Sequence, residues 1–172
     1  MQDSRCSVPT VIYHGFYVND WRRWHSSPGI GIAVSQDVNA LLMSYVQDAD
    51  GVEACGLLVG RTSLDGCALV DYASAPGPLD VRSKFACERL DPCHQSFLTD
   101  KHNQSKMNNY MGDWHTHPEN YPAPSGIDVT GWIKQDMDIE SQFLNEPVHL
   151  RYIHLIVGRV SVGVYEVKLP RS

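Results

Sequence analysis

The chain has 172 residues, enough for one domain with a substantial core and few for two. Hydrophobic residues make up 42% of it and charged residues 20%, a composition typical of globular proteins. The formal net charge of −6 argues against nucleic acid and anionic membranes as partners. No apolar run approaches the roughly 18 residues of a membrane span, and residues 1–9 do not resemble a signal peptide.

Hydrophobic periodicity predicts one alternating α/β unit that no repeat or linker divides. Residues 1–28 show no regular pattern and are predicted to be irregular. The predicted elements then follow in chain order as a strand at 30–34, a helix at 36–47 capped by Ser35, strands at 55–60 and 68–74, a helix near 92–101, a strand at 110–117, a helix at 126–142, and a hairpin of strands at 151–157 and 161–167. The segment 76–108 is predicted to be a long polar connection around the second helix.

The cysteines are scattered along the chain and form no C-x-x-C pair. There are five of them, Cys6, Cys55, Cys67, Cys87 and Cys93. This pattern predicts free thiols in a reducing cytoplasm rather than a disulfide framework. We accordingly expect a cytoplasmic protein in which Cys55 is a small buried residue.

Two histidines, His115 and His117, alternate along the predicted strand at 110–117. Because alternate side chains of a strand point to the same face, both imidazoles can reach one point in space. Asp128 lies beyond a loop rich in Pro and Asn and can bring a carboxylate to the same point. Two nitrogens and one oxygen leave the fourth position of a tetrahedral zinc ion open, as in catalytic sites. We therefore predict one catalytic Zn²⁺ per chain.

A zinc hydrolase also needs a base that does not bind the metal, and Glu53, just before the predicted strand at 55–60, is a candidate. Ser125 and Asp128 admit a structural interpretation as well, because Ser-x-x-Asp before an apolar run is typical of a helix capping box. The two roles of Asp128 are compatible. A carboxylate in the first turn is favoured by the helix dipole and keeps lone pairs for a metal.

Together these residues resemble the JAMM motif of the MPN-plus zinc metalloproteases. Glu53 is followed far downstream by His115-Thr116-His117, seven residues, Ser125, two residues and Asp128, which matches the motif at every position. The sequence EACGLLVG at 53–60 is also similar to the E-x-x-G-x-L-x-G segment of the family.

The resemblance covers roughly residues 30–168. It implies the α/β fold of a single MPN/JAB-like domain, with a mixed central β-sheet flanked by helices. Residues 1–28 would then be an N-terminal extension, and residues 29–172 the metalloprotease domain.

The resemblance also implies a role for each motif residue. His115, His117 and Asp128 would bind zinc. Glu53 would hold the attacking water, take its proton and return it to the leaving amine, and Ser125 would hydrogen-bond the developing oxyanion.

Members of the family cleave isopeptide or peptide bonds after the C-terminus of ubiquitin or ubiquitin-like proteins. The compact length, the WHTHPE wording at 114–119 and the SAPGP segment at 74–78 are most similar to the bacterial JAB branch. Some members of that branch belong to CBASS-type antiphage operons and release a conjugated nucleotidyltransferase (CD-NTase) or ubiquitin-like tail from its target. The resemblance thus implies a deconjugating isopeptidase whose partner is the C-terminal tail of such a protein, with no nucleic acid or membrane partner.

Other functions are compatible with parts of the pattern. A non-catalytic MPN-type scaffold usually lacks ligand residues, whereas this chain has all of them. A cupin-like metal protein would need a glutamate a few residues after the histidines, where this chain has Tyr121 and Pro122, and a later histidine. A zinc deaminase would need His-x-Glu and Pro-Cys-x-x-Cys, and the sequence contains neither.

The long connection that precedes the histidine strand is expected to serve substrate binding. Loops of this length in a compact domain are usually functional or disordered, and this one ends beside the predicted metal site. We therefore expect residues 82–109 to form one wall of the substrate groove. Trp114 and Trp132 are predicted to lie in the core, and the histidines without ligand spacing to be structural: His14, His25, His94, His102, His149 and His154.

Overall fold

The computed structural model describes residues 8–17, 23–24, 31–143 and 150–170. Its strands are β1 (Thr10–Tyr17), β2 (Arg23–Trp24), β3 (Ile32–Val34), β4 (Cys55–Thr62), β5 (Ala68–Ala73), β6 (Val81–Ser83), β7 (Ala86–Glu88), β8 (Asn109–Thr116), β9 (Tyr152–Val157) and β10 (Val162–Lys168). Its helices are α1 (Gln36–Ser44), α2 (Cys93–Gln104) and α3 (Gly126–Glu140), and a short 3-10 turn (Ser141–Phe143) follows α3.

Eight strands form one mixed sheet in the order β1-β10-β9-β8-β4-β5-β3-β2, and β6 and β7 form a separate hairpin. The pairs β8–β9 and β3–β5 are parallel, whereas β4 pairs antiparallel with both β5 and β8. The predicted α/β domain with a mixed central sheet is therefore confirmed. Strand β8, which carries the histidines, lies in the middle of the sheet.

Apolar side chains cover both faces of this sheet. On one face, Val38 and Leu42 of α1 pack around Trp114. On the other face, Trp132 of α3 packs against Ile156 of β9. Alternate residues of a strand point to opposite faces, so Trp114 faces α1 while its neighbour His115 faces α3. The predicted burial of both tryptophans is confirmed.

The predicted cap of α1 is confirmed, because the Val38 amide donates to Ser35 Oγ at 3.2 Å. The helix is shorter than the predicted range 36–47 and ends at Ser44. At the end of the helix, the Tyr45 amide donates to Leu42 O at 3.1 Å. Tyr45 then packs on Trp114 at a ring distance of 5.7 Å, so tertiary packing ends the helix before the periodic pattern does.

The prediction that residues 1–28 are irregular is wrong for 10–17, and also for 23–24, where β2 pairs antiparallel with β3. Strand β1 pairs antiparallel with β10, and Tyr13 lies opposite Tyr165. The register shifts between Tyr13 and Gly15, and Gly15 has a φ of +113°. This bulge interrupts the alternation on which strand prediction relies. Whether residues 1–28 stand outside the domain as an extension stays a prediction.

The connection at 76–108 has more structure than the sequence predicts. The expected helix is present as Cys93–Gln104, but the preceding hairpin β6–β7 was not predicted, because each strand has only three, mostly exposed residues. The hairpin brings Cys87 to Cys55, and the two form a disulfide across 32 residues of sequence. The prediction of free thiols is therefore wrong for this pair and confirmed for Cys67 and Cys93. Cys6 lies outside the described residues.

Among the described residues, no helix has the length and apolar character needed to cross a membrane.

The close contact between β8 and β9 makes a testable prediction. Gly112 has a φ of +130°, and a Cβ added there would lie 1.8 Å from the Ile153 carbonyl oxygen. Gly112→Ala therefore combines backbone strain with a clash and should lower the free energy of unfolding by about 2–4 kcal/mol. Urea denaturation followed by circular dichroism measures this change.

Gly131→Ala in α3 is the matched control, because nothing lies within 4 Å of the added Cβ. Alanine favours helix, so this variant should gain about 0.5–1 kcal/mol of stability. Equal stability of the two variants would contradict the β8–β9 register.

Candidate metal centre

Strand β4 brings Glu53 to the histidine strand. Cys55 lies opposite His115 in the antiparallel β4–β8 pair, so the predicted adjacency of the two segments is confirmed. Thr116, between the two histidines, makes two further bonds. Its amide donates to Ala54 O and its Oγ1 accepts from the Ala54 amide, each at 2.9 Å. These bonds hold the residue after Glu53 directly beside the two histidines.

Gly56 is needed for close packing at the same place. Trp114 Nε1 donates to the Ser74 carbonyl oxygen at 3.0 Å, across the backbone of Gly56. A Cβ at Gly56 would lie 2.0 Å from that oxygen and 2.5 Å from the indole nitrogen. Only glycine permits the hydrogen bond, which gives the glycine of the EACG segment a physical reason.

The three predicted zinc ligands converge. The Nε2 atoms of His115 and His117 lie 3.0 Å apart. Asp128 Oδ1 lies 3.4 Å from His115 Nε2, and Asp128 Oδ2 lies 3.7 Å from His117 Nε2. One ligand atom from each residue lies within 4.8 Å of the other two, with both histidines buried and Asp128 partly so.

This donor set fits zinc. Atoms about 2.0 Å from a tetrahedral ion are roughly 3.3 Å apart, close to the distances observed. Two imidazole nitrogens and one carboxylate are typical ligands of a catalytic zinc, which keeps one position open. The two ring nitrogens point at one another in a buried site, and a cation between them would satisfy both.

Asp128 is held as a helix cap and also lies among the candidate metal ligands. The Asp128 amide donates to Ser125 Oγ at 3.1 Å, and the Ser125 amide donates to Asp128 Oδ2 at 2.7 Å, which confirms the capping box. Burial alone would raise the pKa of Asp128. Interactions with His115 and hydrogen bonds from Ser125 outweigh burial and lower that pKa to about 2. The carboxylate is therefore ionised at neutral pH, as metal binding requires.

Glu53 has the position and the environment of a base. Its side chain is buried, and Oε1 lies 3.8 Å from His117 Nε2. Burial raises the pKa of Glu53 to about 7, an effect that the charge of His115 opposes and those of Asp128 and Glu119 reinforce. A carboxyl group with such a pKa can both accept and return a proton near neutral pH.

Glu119 is a further residue of the site, for which the sequence analysis assigned no role. Its Oε2 lies 3.4 Å from His117 Nδ1, the ring nitrogen opposite the proposed ligand atom. A carboxylate at this place fixes the tautomer and orientation of a ligand histidine. Its position two residues after His117 was the only signal in the sequence.

Behind the site, His154 supports His115 through Trp132. His154 is fully buried and bonds Asp113 Oδ1 at 2.7 Å and Asp136 Oδ2 at 2.8 Å. Trp132 stacks on His154 at a ring distance of 4.7 Å and lies 6.2 Å from His115. The prediction that His154 is structural is confirmed.

Comparison with known proteins agrees with this geometry. The family described as prokaryotic homologs of the JAB domain matches residues 35–168. A protein of Escherichia coli (strain TW11681) named CD-NTase/cGAS isopeptidase is 34% identical over 135 residues, which are 77% of this chain and 80% of that protein.

More limited matches involve proteins of the same name. The one from Vibrio cholerae is 33% identical over 108 residues, 62% of each chain. The one from Pseudomonas aeruginosa is 36% identical over 91 residues, 51% of this chain and 56% of the other. The solution structure of protein DSY2949 from Desulfitobacterium hafniense aligns with this protein over 74% of each chain, at 22% identity and with a TM-score of 0.47. This similarity is too distant for inference about function.

The ligand geometry predicts that His117→Ala loses most of its bound zinc. The fold should survive, because a domain of this size does not need a metal to complete its core. Metal analysis by mass spectrometry gives zinc per chain, and thermal unfolding reports the fold. His102→Ala removes an imidazole at the end of α2, where Nδ1 contacts Asn108 O at 2.9 Å, and should keep its zinc. Unchanged zinc in His117→Ala would refute the ligand assignment.

Proposed function

The chain belongs to the prokaryotic homologs of the JAB domain, and on this premise we propose that it is a zinc-dependent isopeptidase that cleaves after the C-terminus of a conjugated protein. The observation that carries the proposal is the convergence of His115, His117 and Asp128 beside Glu53. The name CD-NTase/cGAS isopeptidase of three relatives supports a CD-NTase as that protein. A ubiquitin-like tail is the second candidate, on the JAMM resemblance alone.

The proposal gives each side chain a part in peptide hydrolysis. His115, His117 and Asp128 would hold zinc, a Lewis acid that makes water acidic enough to attack a carbonyl at neutral pH. Glu53 takes the proton of the attacking water and returns it to the leaving amine.

Ser125 would donate its hydroxyl hydrogen to the oxygen on which negative charge develops. In the structure this hydroxyl donates to Asp128 Oδ2 at 2.8 Å, so it already points toward the ligand carboxylate. The switch to an oxyanion acceptor needs only a rotation of the hydroxyl hydrogen about the Cβ–Oγ bond, which leaves both backbone hydrogen bonds of the cap in place.

The segment 82–109 is proposed to form one wall of the substrate groove. It contributes Cys87, Arg89, His94, Gln95 and Leu98 to a cavity of about 410 Å³. Leu57 of β4 also lines this cavity, and it lies opposite Asp113, two residues before His115. The cavity and the metal site therefore lie on the same face of the sheet. An extended C-terminal tail could follow this wall to the cleavage point.

Replacement of Glu53 tests its proposed role as the base. Glu53→Gln should keep its zinc and lose about 10²–10⁴-fold in turnover, because the amide cannot take a proton from water. The assay cleaves a CD-NTase fused to a reporter through its C-terminus, with and without chelator. Asp37→Asn, which neutralises an exposed carboxylate in the first turn of α1, is the matched control and should keep wild-type turnover. Cleavage by Glu53→Gln at near wild-type rate would assign the base to another group.

Substitution of exposed apolar residues in segment 82–109 tests whether this segment forms a wall of the substrate groove. Phe85 and Leu90 are 73% and 58% exposed. Their replacement by serine should raise KM for a protein substrate by about 5- to 30-fold each, the effect of losing a well-placed apolar contact. The value of kcat, the zinc content and the KM for a short peptide should not change.

Leu64→Ser is the control for these variants. Leu64 is fully exposed and lies in the turn after β4, at the end of that strand far from Cys55. An unchanged KM for the protein substrate in folded, zinc-loaded Phe85→Ser and Leu90→Ser would exclude this part of the connection from substrate binding.

A further inference from the structure

The hairpin β6–β7 binds the backbone of the proposed base from both sides. The Glu53 amide donates to the Ser83 carbonyl oxygen at 2.8 Å. Arg82 Nε donates to the Glu53 carbonyl oxygen at 2.6 Å. Both polar backbone groups of Glu53 are thus bound to neighbouring residues of one hairpin. Glu53 precedes β4, so the ladder of the central sheet does not hold it.

The other strand of the hairpin is bonded covalently to the same segment. Cys87 in β7 forms the disulfide with Cys55, two residues after Glu53. A further contact closes the hairpin turn, where Gln47 Nε2 donates to the Lys84 carbonyl oxygen at 2.9 Å. Residues 53–55 are therefore attached to β6 by hydrogen bonds and to β7 by a covalent bond.

We propose that the hairpin positions the Glu53 carboxylate, with Arg82 as the positioning residue, and that reduction of Cys55–Cys87 releases this position and lowers turnover. The proposal rests on the proposed role of Glu53 as proton carrier. The zinc ligands should be unaffected, because the bonds between Thr116 and Ala54 and the β4–β8 ladder hold the histidine strand without help from the hairpin.

The reductant is a thiol, which attacks one sulfur of the disulfide as its thiolate. Cys55 is 1% exposed, whereas Cys87 lines the cavity of about 410 Å³ and is open to attack. Attack at Cys87 breaks the Sγ–Sγ bond, forms a mixed disulfide at Cys87 and leaves Cys55 to take up a proton. A second thiol then releases Cys87 as a thiol, and the two reductant molecules leave as their own disulfide. In a reducing cytoplasm, which the sequence predicts, disulfides are usually transient and redox-sensing.

Displacement of the Glu53 carboxylate is expected to lower the reaction rate strongly. A displacement of about 1 Å in a catalytic group can lower the rate by about 10²-fold. Without the disulfide, the link from β7 to residues 53–55 that the described part of the chain shows is its pairing with β6, a ladder of three residue pairs. We therefore expect reduction to lower kcat about 10- to 100-fold and to leave the KM for a short peptide unchanged.

The experiment uses the full chain with the other cysteines replaced, as Cys6→Ser/Cys67→Ser/Cys93→Ser, so that only one disulfide can respond. Thiol titration should count two free thiols after treatment with dithiothreitol or glutathione and removal of the reductant. Turnover should then fall with zinc retained, and glutathione disulfide should restore it. Unchanged kcat in the fully reduced protein would overturn the proposal, and so would loss of zinc in parallel with kcat.

Hydrogen exchange separates this proposal from the proposed function. Reduction should speed exchange of the Glu53 amide, which donates to Ser83, while the Thr116 amide stays protected. This result needs no substrate, so a protein that cleaves nothing can still show the release. Equal protection of Glu53 in both redox states would refute the release itself. Faster exchange without any cleavage by the oxidised protein would refute the proposed function instead.

Two variants test positioning against simple loss of structure. Arg82→Ala should lower kcat about 10-fold at unchanged KM for a short peptide, and Arg82→Lys should recover part of the kcat, because a lysine can still donate to the Glu53 carbonyl. Arg61→Ala removes a half-exposed guanidinium at the far end of β4 and should have no effect. In Glu53→Gln, reduction should cause no further loss. An equal loss in Glu53→Gln would show that the disulfide acts through another group.

Discussion

The site depends on the antiparallel register between β4 and β8. Because Cys55 lies opposite His115, Glu53, two positions before Cys55, comes within 3.8 Å of His117 and so lies beside the candidate metal ligands. A shift of one residue would turn both histidines to the α1 face and put Trp114 in their place. Thr116 secures this register by its two bonds to Ala54, which join the strand to the chain just before β4. The H-T-H triplet thus combines two candidate metal ligands with the residue that aligns them.

Behind the ligands lies a closed network of buried charges. His154 lies between Asp113 and Asp136 and is protonated there. Burial would lower the pKa of His154, but the two carboxylates outweigh it and raise that pKa to about 9. Arg89 donates to Asp113 at 2.9 Å and links this network to the segment after β7. A fully paired network of this kind is stiff and costly to break, and it holds α3, β8 and β9 in one arrangement beneath the site.

The sequence predicted the local features well and the long-range ones poorly. The ligand pattern could be recognised because His115 and His117 follow strand periodicity and Ser125 with Asp128 forms a local cap, so short-range geometry determines both. The disulfide could not, because Cys55 and Cys87 meet only through a hairpin of three-residue strands with no hydrophobic alternation. Strand β1 was missed for a similar reason, since its bulge breaks the period of two and its partner β10 lies at the other end of the sequence.

The contrast between local and long-range contacts also distinguishes the candidate ligands from Glu53, the proposed base. The ligands sit on a central strand and in a capped helix, where ladder and helix hydrogen bonds set the position of each backbone. Glu53 lies outside any regular element, and its two backbone groups are paired with a peripheral hairpin instead. Because backbone hydrogen bonds near the surface open more readily than those of a core, we expect Glu53 to be the residue of the candidate site that is most easily displaced. The backbone contacts of the candidate ligands and those of Glu53 therefore come from different parts of the fold.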